Sequence, residues 1–74
     1  MSTKWKIHLT RAVEIVGGQE ALAKEIGKSQ QYVSFLINEA KAIKAEIAIS
    51  IDRATAGQVS KAQLRPDIFE QESA

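Results

Sequence analysis

Between Gln30 and Asn38 the chain reads QQYVSFLIN, a run that concentrates its recognition chemistry. A carboxamide presents a donor and an acceptor side by side, which suits reading a hydrogen-bonding edge rather than breaking a bond. A glutamine can form a bidentate pair with adenine N6 and N7, and such a pair discriminates between bases by roughly 1–3 kcal/mol. On a helix, Gln31, Ser34, Phe35 and Asn38 fall at i, i+3, i+4 and i+7 and share one face. Ser34 can donate or accept at a base edge or a phosphate. Phe35 suits either of two roles, covering a thymine methyl or packing beneath the following helix. Val33, Leu36 and Ile37 form the opposite, apolar stripe. Catalytic chemistry is much poorer. There is no cysteine and a single histidine, His8. No carboxylates pair at a spacing that suggests acid–base work, so an enzyme is not expected.

Positioning that face requires the stretch Gln19 to Leu36. Leu22, Ala23 and Ile26 make one helical stripe, and Gly27 then stops the helix because glycine takes a positive φ without penalty. Ser29 is a good N-cap for the next helix, which places Gln30 and Gln31 on its first turn. Two helices about a short glycine-containing turn form a helix-turn-helix. In such units the N-terminal end of the second helix enters the major groove. Counting from Gln19, Ala23 is fifth, Ile26 eighth, Gly27 ninth, Val33 fifteenth and Leu36 eighteenth. A small residue at the crossing, a glycine in the turn and two apolar residues packing back make a fairly specific pattern. Lys28, Asn38 and Lys41 are placed to meet phosphates, which fix orientation without reading sequence. The free N–H groups at the start of the first of these helices, around Gln19, can also receive a phosphate. The Gly17-Gly18 pair before it is not a nucleotide-binding loop, because no strand precedes it and neither glycine-rich phosphate motif is present.

On these residues the chain resembles the Cro/repressor helix-turn-helix family of phage and bacterial regulators, whose lambdoid members also open the second helix with Gln-Gln. The segments GGQEALAKEIG, ATAG and LRPDIF look most like the small Cro-like group that includes the YdaS-type proteins of prophages. The resemblance is strong over Gly17 to Leu36, looser over Thr55 to Phe69, and says little about residues 1–10. It implies an all-α, lambda-repressor-like domain of four to five short helices. It also implies a dimeric, cytoplasmic repressor that binds a pseudo-palindromic operator in double-stranded DNA. An antitoxin-like module that mainly holds a protein partner is the alternative.

Composition is compatible with a small DNA-binding domain, and its charge equally with an ordinary solvated surface. A chain of 74 residues with 45% hydrophobic residues is one folded domain. No long apolar run or signal-like N-terminus suggests a membrane or secretory route, and nothing calls for a cofactor, a metal or a small-molecule ligand. The net charge is only +1, but Asp67, Glu70 and Glu72 are unopposed after residue 66. The first 66 residues therefore set ten basic side chains against six acidic ones. A domain over residues 1–66 and an acidic tail over 67–74 are expected.

The remaining elements follow from periodicity and caps. Trp5, Leu9, Ala12, Val13 and Val16 predict a first helix over Lys4 to Val16, with Trp5 as an anchor, Ile7 and Ile15 off the stripe and His8 at the surface. The helix carrying Gln30 should end near Asn38, although it has few breakers before Lys41. Ile43 should anchor the next link. Ile47, Ala48, Ile51 and Ala54 predict a fourth helix ended by Gly57 at the position after its cap, with Ile49 off the stripe. Gln58 and Val59 read as an extended connector, Ser60 as the cap of a short turn KAQL, and Arg65-Pro66 as its end. Val59, Leu64, Ile68 and Phe69 look like apolar surface in excess of the core, which places a subunit contact in Gly57 to Phe69. Met1 to Thr3 should fray, and Glu70 to Ala74 should be disordered.

Overall fold

The structure, a computed structural model, describes residues 4–69; the expectations for the two chain ends lie outside them. Five helices follow one another: α1 (Trp5–Val16), α2 (Gln19–Ile26), α3 (Gln30–Asn38), α4 (Ala45–Ala54) and α5 (Lys61–Leu64). Among the described residues there is no strand. This is the small all-α helix-turn-helix domain that the pattern of apolar residues and breakers implies.

α2 is the hub. It packs on α1, α3 and α4, while α5 closes the domain by packing on α1 and α4. Leu9, Leu22, Leu36, Ile43, Ile51 and Leu64 are fully buried, and they come from every helix and from the link between α3 and α4. Ala23 is buried in α2, where a larger side chain would overpack the core. Trp5 is buried at the start of α1, Ile15 is half-buried against the core, and Ile7 stands out at 71% exposure. His8 is half-buried.

The helix ends show how the chain turns. Gly27 has φ +73°, and the N–H of Lys28 reaches back to the Ala23 carbonyl at 2.9 Å. This satisfies a carbonyl that the end of α2 would otherwise leave bare. α3 ends at Asn38 rather than running on to Lys41, because Glu39 and Ala40 both bond back to the Phe35 carbonyl. The end of α4 corrects the expectation for Gly57. The first left-handed residue is Ala56, with φ +54°, and Gly57 follows at φ +83°. Ala56 N–H bonds to Arg53 and Gly57 N–H to Asp52, so the reversal begins one residue earlier than the glycine suggests.

The segment after α4 brings a larger correction. Val59 and Leu64 are 0% and 1% exposed, so neither offers apolar surface to a second subunit. Thr55, itself buried, accepts the Val59 N–H on its hydroxyl at 3.0 Å and so folds the connector inward. Val59 therefore enters the core instead of lying at a subunit contact. Ser60 and Gln63 then form a reciprocal capping box that starts α5. Past Pro66 the N–H groups of Ile68 and Phe69 both bond to the Arg65 carbonyl. Phe69 packs on the core with the Lys61 ammonium 5.3 Å from its ring centroid. Of the four apolar residues expected at a subunit contact, only Ile68 is exposed, at 50%.

Candidate nucleic-acid interface

Ser29 sets the geometry of α3. It is extended, with φ −84° and ψ 160°, and its hydroxyl accepts the Tyr32 N–H at 3.1 Å. That cap places Gln30 and Gln31 on the first turn of α3, where both are exposed. On the far side of the same helix Val33 and Leu36 are almost wholly buried. The helix is thus held by its apolar side and presents its amides outward.

Further along that face, the Asn38 side-chain amide donates to the Ser34 hydroxyl at 3.1 Å. Ser34 is half-buried and Asn38 is exposed. The bond fixes the orientation of the Asn38 amide and leaves its carbonyl oxygen and one N–H outward. Phe35 is 47% exposed and is not among the apolar residues packed against the core cluster. Its ring sits 6.3 Å from that of Tyr32 at 37°, and the Lys28 ammonium lies 5.5 Å from the Tyr32 ring centroid. Lys28, Tyr32 and Phe35 therefore form a stack across the turn and the helix. Tyr32 was not among the candidate residues, although its i, i+3 spacing to Phe35 within α3 is the signal that finds it.

The flanking positions differ in character. Lys28 and Lys41 are exposed, and among the described residues the one ion pair is Arg65 with Asp67. Both ammonium groups thus face solvent without a carboxylate. Gln19 is half-buried at the start of α2, whose cap, Gly18, supplies no side-chain acceptor. Glu20 stands in that same first turn, so an anion there would meet a carboxylate as well as the helix's positive end.

Arg65 ties the link before α4 to the end of α5. One guanidinium nitrogen donates to the Ile43 carbonyl at 2.6 Å, and the others reach Asp67 at 3.0 and 2.6 Å. The link that carries Lys41 is in this way tied to the end of α5. The hydrogen bonds from Arg65 hold the Asp67 carboxyl below its usual range. A groove of about 440 Å³ opens beside this strut, between Trp5, the link at Lys41 and the turn at Pro66. No group of three or more histidine, aspartate or glutamate side chains able to hold a metal occurs among the described residues. No helix among them is long and apolar enough to cross a membrane.

Comparison with known proteins matches residues 9–73 to a family described as bacterial toxin YdaS. A relative from Escherichia coli (strain K12), described as "Putative transcriptional regulator YdaS", is 41% identical over 58 residues. That match covers 78% of this chain and 59% of the relative, so the chain spans little more than half of that protein's length. No solved structure matches the chain. With the family match running over residues 9–73, and so across the whole helix-turn-helix, the chain belongs to the YdaS family of small helix-turn-helix proteins.

Proposed function

We propose that this protein is a transcriptional regulator that binds double-stranded DNA sequence-specifically through α3 in the major groove. The observation that carries the reading is the pair Gln30 and Gln31, exposed on the first turn of a helix whose opposite face is core. In this reading the two glutamines and Ser34 address base edges, and Ser29 sets their register as the cap. Lys28, Lys41, Asn38 and the start of α2 at Gln19 meet phosphates. The regulator description of the Escherichia coli relative supports it. The finer assignment is a Cro-like phage or prophage repressor that works as a dimer in the host cytoplasm. Its half-sites then lie about one helical turn apart, roughly 34–36 Å. Within the 57–69 segment Ile68 is the apolar side chain left to join two subunits.

The test is selection of bound sequences from random duplex DNA at a stated salt concentration, since phosphate contacts make affinity salt-dependent. A two-fold symmetric motif is expected; recovery of no preferred sequence would overturn the reading. A second reading draws on the family's description as a toxin and on Ile7 and Ile68, both exposed and neither in α3. There the domain acts chiefly by holding a protein partner. Biological activity that survives loss of DNA binding in Gln30 and Gln31 variants would favour this second reading.

A further inference from the structure

We infer that Phe35 reads the 5-methyl group of a thymine, one or two base-pair steps from the base that Gln31 contacts. The inference rests on the DNA-binding reading of α3. Phe35 stands in the middle of a polar face, 47% exposed, and belongs neither to the core cluster nor to the apolar residues packed against it. Nor is the ring loose. It leans on Tyr32 at 6.3 Å, and Tyr32 is itself half-buried against the core with the Lys28 ammonium 5.5 Å from its ring centroid. The neighbouring polar groups have their own engagement, since Ser34 and Asn38 are bonded to each other. The ring is therefore a fixed apolar projection between Gln31 and Asn38.

Major-groove edges offer such a projection few matches. Guanine presents two acceptors, cytosine a donor and adenine one of each, and thymine alone adds a methyl group. A phenyl ring set against the polar edges would strip water from them and return no hydrogen bond. Against the methyl it buries apolar surface on both sides. Spacing gives the position. Gln31 and Phe35 are at i and i+4, about 5–6 Å apart at Cβ. Bases stack about 3.4 Å apart along a strand. The thymine therefore lies within two steps of the position that depends on Gln31.

The experiment uses the duplex recovered by selection and replaces each thymine in turn with deoxyuridine, which removes the methyl group alone. The full chain should lose affinity about fourfold at one thymine per half-site, the worth of one buried methyl group. Phe35→Ala should bind thymine and uracil duplexes alike while keeping the parent's helical fold at the binding temperature, since the ring lies outside the core cluster. Wild-type affinity unchanged by every uracil replacement, a readout that needs no variant, would overturn the assignment while leaving the DNA reading in place. So would a Phe35→Ala protein that keeps the parent's thymine-to-uracil ratio. Selection that yields no preferred sequence would instead remove the DNA reading, and this inference with it.

Discussion

The Thr55 hydroxyl accepts the backbone N–H of Val59 at 3.0 Å and donates to the Ile51 carbonyl at the same distance. One buried side chain thereby closes the turn after α4 and draws Val59 into the core. Thr55→Val keeps the shape but removes the acceptor, leaving the Val59 N–H buried without a partner. That change should cost roughly 1–3 kcal/mol. Thr55→Ser keeps the hydroxyl and loses one methyl group, at roughly 1 kcal/mol. Denaturant unfolding should rank parent, Ser and then Val in falling stability; a Val variant as stable as the parent would show that the bond contributes nothing.

Gly27 and Ala56 are both left-handed, at φ +73° and +54°, yet only one is a glycine. A Cβ on Gly27 would meet no atom within 4 Å, so substitution there is opposed by backbone conformation alone. Gly27→Ala should cost about 1 kcal/mol, and Gly27→Val more, because a β-branched side chain tolerates this region least. Ala56→Asn should run the other way and stabilise by under about 1 kcal/mol, since asparagine visits the left-handed region more readily. Thermal melts with Gly27→Val at the parent value would mean that the turn is not held left-handed.

What the sequence discloses is what neighbours a few residues apart decide. Gly27, Ser29 and the stripe through Val33 and Leu36 act within one or two turns, so α2, α3 and the turn between them follow from spacing. Ser60 and Gln63 announce α5 in the same local way. The burial of Val59 and Leu64 does not, because it depends on the Thr55 hydroxyl acting as an acceptor and on α5 docking against α1. An apolar residue in a connector reads as surplus surface until that docking is known. Within the candidate site, Gln30 and Gln31 stand out by residue type and capping, whereas the stack of Lys28, Tyr32 and Phe35 depends on side-chain rotamers, which spacing only permits.

The strut from Arg65 to Asp67 makes a prediction in pH. Arg65 lowers the folded-state pKa of Asp67, so the ionised carboxylate favours folding. That contribution is present above the ordinary carboxylate range and is lost as pH falls through the depressed folded value. Asp67→Asn should lower the melting temperature slightly at neutral pH and make no difference in strong acid. Both groups lie near solvent, so added salt should shrink the neutral-pH difference as well. Parallel melting curves at all pH values would show that the pair does not steady the link to Lys41.

Base contacts and phosphate contacts should separate by the kind of loss they cause. Gln30, Gln31, Lys28 and Lys41 are all exposed, so alanine at any of them should leave the fold intact. Gln30→Ala and Gln31→Ala should each cost roughly 1–3 kcal/mol on the preferred duplex and relax selectivity at one or two positions. Lys41→Ala should weaken preferred and random duplexes alike and reduce the dependence of log affinity on log salt by about one charge. Lys28→Ala should do the same and in addition release Tyr32, whose ring it overlies. A loss of thymine selectivity beside the phosphate effect is therefore expected from Lys28→Ala and not from Lys41→Ala. Binding selections and salt titrations on the four variants decide the matter: glutamine variants with unchanged preference would show that α3 is not the reading element, and lysine variants with an unchanged salt slope would place the phosphate contacts elsewhere.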